Sequence, residues 1–263
     1  LELDLGISGP PVSMGVRKLG DRPWLFTDDL TIEELSLKRH LTQDALKDVF
    51  VASKETEIVG NSVLSLISKT GVELTGTHSK HPLEKAGLSV QEDLCLMHRT
   101  PEGWVLKAAS LCFPSRWQLR EKIGKNMASI HGPVEGYETH LSKKVDNFFD
   151  RLGNEIVWRR NWFIHPDNSL YQPKPPTSGD PIIGSAEIGE KLFVRSERQT
   201  LQLLETPDWM LFTIRVQRAP LKNLLHKRKE EFQNWIFEAP ESHHDHKGLV
   251  SEQVREIQKA LAN

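Results

Sequence analysis

Apolar positions recur along this chain at two spacings, and the switch between them divides it. In TIEELSLKRHLTQDALKDVFV, Leu35, Leu41, Leu46 and Val49 fall at approximately helical intervals, with Asp29 or Thr31 placed to cap the segment. A second helix is predicted over 55–68, and GVELTGTHSKHPLEKAG after it, rich in turn formers, reads as a loop. The spacing then shortens. DLCLMHR and WVLKAASLCF flank the Pro/Gly turn TPEG, which predicts a β-hairpin. EIVWRRNWFIH, KLFVRSERQTLQLL and WMLFTIRVQ add three further strands, with TPD closing a second hairpin between the last two. Five strands with helices inserted between the first and second pairs predict an α+β fold, an antiparallel sheet with helices packed over it.

The helical spacing returns between Phe113 and Glu155. Ser115 is placed to cap a helix whose stripe is Leu119, Ile123, Met127 and Ile130, with His131 extending the stripe and Gly132-Pro133 stopping it. ETHLSKKVDNFFDRLG predicts the next helix, ending at Gly153. The span 166–189 reads as one long loop, of a length that is usually functional or mobile. LKNLLHKRKEEFQNWIF and SEQVREIQKALAN predict two closing helices joined by a polar, His-rich loop. No low-complexity linker divides the 263 residues. The organisation expected is one domain over 1–263, with an N-terminal helical extension over about 1–87 and C-terminal helices over about 220–263.

Composition narrows the partners. The 34 basic and 36 acidic residues nearly cancel, so no broad charge favours nucleic acid or an anionic membrane, and a small molecule or a protein is the expected partner. There is no run of about 18 apolar residues and the opening LELDLGISGPPVSMG lacks the signature of a signal peptide, which predicts a cytoplasmic protein. Cys95 and Cys112 stand in apolar stretches without metal-ligand spacing and read as reduced core thiols. His243, His244, Asp245 and His246 are near-consecutive, which suits a solvated loop better than a closed metal site.

The runs CFPSRW, KIGKNMASIHGPVEGY, VWRRNW, RSERQTL and FTIR, in that order over about 90–217, resemble the haem-binding subunit of the haem-dependent oxidative N-demethylases. MGVRKLGDRPWLFTDD near the start is similar as well. The resemblance implies a PAS-like fold holding haem b and the oxidative removal of a methyl group from a small secondary amine such as dimethylamine, with O₂. It also implies reductase partners that carry flavin and an iron–sulfur centre. The chain itself has no GxGxxG, no P-loop and no cysteine set for a cluster, so electrons would have to come from another polypeptide. One departure stands out: Glu135 occupies a position where the resemblance leads one to expect a proline. The alternative reading is a PAS-like module that binds haem or another ligand and only signals.

Within that resemblance, His131 is the first candidate for the haem iron and His165, at the end of a strand, the second; His98 follows. Arg116 and Lys122 are candidates for the haem propionates, and Trp117 and Tyr137 for packing or hydrogen bonding to the cofactor. In RSERQTL, side-chain alternation puts Glu197 and Gln199 on one face of a strand and Ser196, Arg198 and Thr200 on the other. A secondary amine is cationic at neutral pH and needs an anion to hold it and a base to take its proton. Glu197 is the candidate for that role, with Arg198 as a cofactor neighbour; a surface pair between the two is the plainer alternative.

Overall fold

The computed structural model describes residues 15–76, 78–131, 147–174 and 180–262. All five expected strands form: Asp93–Thr100 (β3), Gly103–Ser110 (β4), Val157–His165 (β5), Phe193–Leu203 (β6) and Trp209–Pro220 (β7). Two short pairings, Arg17–Lys18 (β1) and Phe50–Val51 (β2), extend the sheet at its edges, so among the described residues it has seven strands rather than five, in the order β1-β5-β6-β7-β3-β4-β2. Every pairing is antiparallel. A two-residue strand has too few positions to show alternation, which is why neither edge strand is visible in the hydrophobic pattern. Both expected hairpins are present, the second turning through Asp208 at φ 64 with Leu204 N–H donating to the Trp209 carbonyl at 2.9 Å.

The register of β6 fixes two faces. Arg195, Glu197, Gln199 and Leu201 lie opposite Phe163, Asn161, Arg159 and Val157 of β5, and this set shares a face with Val216 and Ile214 of β7 and Cys95 of β3. The Glu197 face is covered by the segment inserted between β4 and β5: Leu119, Phe149 and Leu152 pack on Cys95, Val157, Leu201 and Ile214. The opposite face carries two apolar clusters. Val59, Val63 and Ile67 of the Glu57–Ser68 helix cover Leu94, Leu96 and Leu211 at one end, and Phe232, Ile236 and Ile257 of the C-terminal helices cover Trp162, Ile164 and Val194 at the other. Between them the Thr31–Asp44 helix turns charged residues inward. Glu34 and Lys38 are buried, and the buried Arg215 pairs with Glu34 at 2.9 Å and Asp28 at 2.7 Å.

Three expectations about local structure are corrected. The helix read across 115–131 is broken into Leu119–Lys122 and Met127–His131, because Gly124 takes φ 77 and the chain from 124 to 126 pairs with β4 instead. Gly124 N–H donates to Leu106 at 2.8 Å, and Leu106 N–H donates to Lys125 at 3.0 Å. The open edge of β4 thus outcompetes continued helix, although the stripe of Leu119, Ile123, Met127 and Ile130 still packs into the core as its period requires. The loop over 71–87 contains a helix, Pro82–Gly87, capped by His81, whose Nδ1 accepts from Leu83 N–H at 3.1 Å. The His-rich linker is likewise a short helix, Glu241–His246, and it buries His244 against the edge of Trp235.

Both cysteines are buried and free, and burial pushes their thiols up, Cys112 to about 12. No helix among the described residues is long and apolar enough to cross a membrane. Where Pro82–Gly87 meets β4, a Cβ on Gly87 would stand 2.0 Å from Ser110 Oγ and 2.5 Å from its Cβ. Gly87→Ala should therefore lower stability by about 1–3 kcal/mol, read as a shift of the urea midpoint at unchanged slope.

Candidate functional site

The site is built around one buried arginine. Arg195, 1% exposed, points from β6 into the Glu197 face and donates to five acceptors on two segments. From the insertion it takes Phe113 O at 2.7 Å, Pro114 O at 3.2 Å and Ser115 Oγ at 2.7 Å; from the 166–189 span it takes Ser169 O at 3.1 Å and Leu170 O at 3.0 Å. A guanidinium can do this because its donors form a fixed planar fork. Burial pulls it down to about 10, with Glu197 and Asp93 opposing, so it is charged at neutral pH. Asp93 secures the same strip from the other side by accepting from Cys112 N–H at 2.9 Å and Phe113 N–H at 2.8 Å.

This clasp delivers Ser115 to Glu197. Ser115 Oγ, fixed as an acceptor by Arg195 Nε, donates its own proton to Glu197 Oε1, while Gln199 Nε2 donates to Oε2 at 2.8 Å. Ser115 is thus a link between Arg195 and Glu197 and not the helix cap expected from the sequence. Beside the 5% exposed Glu197, the side chains of Arg159, Asn161 and Gln199 on the same face are only half-buried, so the carboxylate sits at the edge of an accessible polar row.

His165 lies in the same neighbourhood. Ser115 bridges to Gln172, whose main-chain oxygen accepts from Arg116 N–H at 2.8 Å. The Gln172 amide nitrogen donates to Asp167 at 2.8 Å, which turns its oxygen toward His165 Nδ1. Nδ1 must therefore carry the proton, and Nε2 is left with a buried lone pair that has no partner among the described residues. Burial, then the cations Arg195 and Arg116, push this imidazole down to about 3, so it is neutral.

The model of a protein family described as haem-dependent oxidative N-demethylase, alpha subunit-like matches residues 26–255. The chain belongs to this family. Comparison with curated proteins gave no match. Membership of the N-demethylase alpha-subunit-like family associates the chain with haem and with oxidative demethylation.

Three of the sequence runs similar to that family meet at the clasp: CFPSRW supplies Phe113 to Arg116, RSERQTL supplies Arg195 to Gln199, and VWRRNW supplies Arg159 and Asn161. Arg116 is in the cluster, at φ 65, paired with Asp180 at 3.0 Å. Such a backbone conformation is uncommon for any residue but glycine and clusters at functional sites. Lys122 donates to Ile130 O at 2.8 Å, next to His131, and burial lowers its pKa. Trp117 is half-buried against the core of the same face. His131 ends the Met127–His131 helix, but its side chain, like Tyr137 and Glu135, lies outside the described residues.

Two expected residues lie elsewhere. Arg198 is on the opposite face, as the alternation requires, and donates to Trp24 O at 2.9 Å, so it forms no pair with Glu197. His98 stacks on Trp209 at 4.5 Å, at the far side of the sheet. Sequence reasoning missed Arg195, Gln172 and Asp93, since a buried arginine bonded to main-chain oxygens leaves no periodic trace. It also missed Lys247. A separate cavity of about 640 Å³ is lined by Val16, Phe148, Leu152 and Val157 together with the charged Arg17, Lys18, Arg151 and Glu155. No group of three or more His, Cys, Asp or Glu able to hold a bare metal ion occurs among the described residues.

Proposed function

We propose that the chain binds haem b and removes a methyl group oxidatively from a small secondary amine such as dimethylamine, working with reductase subunits that carry flavin and an iron–sulfur centre. The observation that carries this reading is Glu197, a buried carboxylate locked by Ser115 and Gln199 at the edge of a half-open polar row, in a chain of this family. The five long strands with a helical segment between β4 and β5 support the PAS-like fold that goes with it.

The residues present fit haem. His165 offers a neutral imidazole with an uncommitted lone pair whose other nitrogen is oriented by an amide, the arrangement that metal-bound histidines use. The cations Arg116, near that histidine, and Lys122, next to His131, suit the carboxylates of a haem. We keep His131 as the first iron ligand, on the segment covering the Glu197 face, and His165 as the second on the strength of its lone pair. When bound, haem would supply O₂ chemistry at the methyl carbon, one oxygen leaving with it as formaldehyde and the other as water with two electrons and two protons. Glu197 pairs with the ammonium and accepts its proton, freeing the nitrogen lone pair before the C–N bond is broken. Ser115 and Gln199 hold the carboxylate so that it does not have to reorganise.

The test is haem titration of the purified protein by visible absorption, followed by formaldehyde assay with dimethylamine and an artificial reductant. Saturation at one haem per chain with amine-dependent formaldehyde is expected. Haem binding without formaldehyde would indicate a sensor module instead, and no saturable binding would end the haem reading. His131→Ala should abolish stoichiometric binding and leave the His165→Ala spectrum as the parent-like control; the reverse result would assign the iron to His165.

A further inference from the structure

Lys247 has no role in the reading above, yet it sits at the rim of the same polar row. Its main chain is pinned to the edge of β5, where Ile164 N–H donates to Lys247 O at 2.9 Å. Gly248, at φ 83, makes that approach possible, because a Cβ there would stand 3.0 Å from Ile164 O. The side chain runs along the strand, with Nζ 4.9 Å from the Trp162 ring centre and 5.8 Å from that of Phe163. Its one hydrogen bond among the described residues goes to a neutral acceptor, Asn161 Oδ1, at 2.9 Å. Asn161 in turn lies directly opposite Glu197 in the sheet.

We propose that Lys247 is an amine nucleophile that captures an aldehyde as a Schiff base at the edge of the Glu197 face. The identity of the aldehyde, formaldehyde, rests on the proposed demethylation. A lysine among aromatic rings, with a cation nearby and an amide as its polar partner, is in the setting that makes amines nucleophilic. Burial and the Arg159 charge lower Lys247 to about 8, with Glu197 opposing. The step balances without any redox partner. The lone pair on Nζ forms a bond to the aldehyde carbon, and the carbonyl oxygen leaves as water with the two amine hydrogens, giving Nζ=CH₂. Asn161 holds an N–H of the amine and so fixes Nζ at the rim of the row that Glu197 shares.

The experiment exposes the full chain at pH 7 to limiting isotope-labelled formaldehyde with cyanoborohydride, which reduces each Schiff base to a stable N-methyl group, and maps the label by peptide mass spectrometry. Lys247 should be labelled about 20-fold faster than a lysine of ordinary pKa, the ratio expected from their unprotonated fractions after allowance for lower nucleophilicity. Its rate should rise with pH and level off above about 8, and Arg159→Gln should move that inflection upward. Labelling of Lys247 no faster than that of the exposed Lys54 and Lys69 would overturn the proposal. A second arm replaces added formaldehyde with dimethylamine turnover. Label from added formaldehyde but none from turnover would uphold the aldehyde site and count against the demethylase reading alone.

Discussion

An Arg195→Met variant should lose about 3–5 kcal/mol of stability, seen as a large fall in the urea midpoint at pH 7. The side chain is close in volume, so the loss is electrostatic. Four main-chain oxygens and Ser115 Oγ lose their donor inside the fold, and Glu197 keeps a buried carboxylate without its nearby cation. Arg195→Lys separates charge from geometry, since an ammonium restores the charge but cannot span acceptors on two segments. It should recover part of the stability and little of the activity. A midpoint within about 0.5 kcal/mol of the parent for Arg195→Met would show that the clasp contributes nothing beyond packing.

Glu197→Gln should reduce amine-dependent formaldehyde release by about 10²–10⁴-fold while haem titration and the melting curve stay close to the parent. Glutamine keeps the shape; its amide oxygen can still accept from Ser115, and its amide nitrogen can donate to Gln199 once that amide turns its oxygen inward, but it has no charge to hold an ammonium and no capacity to take its proton. Steady-state rates over a range of amine concentration, with haem occupancy measured on the same sample, would check this. Parent-like turnover in the loaded variant would remove Glu197 from the chemistry and leave it as a structural partner of Ser115.

The sequence made the strands and the faces legible, because side-chain alternation along RSERQTL alone separates Glu197 from Arg198, and the register bears it out. It also placed Leu119, Ile123, Met127 and Ile130 in the core. It failed where tertiary hydrogen bonding overrode local preference. Gly124 yields to the open edge of β4, and Ser115 is taken from a helix cap to a carboxylate 82 residues away. The inward-facing Glu34 and Lys38 show the same limit, since a helix that buries charge against Arg215 has almost no amphipathic signal to read. His165 was visible only as a strand-end histidine, and its lone pair became apparent once Gln172 and Asp167 fixed the tautomer.

The span of the clasp bears on how the molecule is made. Arg195 reaches back 82 residues to Phe113 and 80 to Ser115, but only 25 to Leu170. On a ribosome, the strip from Phe113 to Arg116 emerges long before the guanidinium that holds it. Closing so long a loop is entropically costly and slow, so the shorter closure to the 166–189 span should come first. A chain whose β6 has not yet paired would have Ser115 and Glu197 apart, which makes assembly of the Glu197 site a late event in the life of the nascent protein.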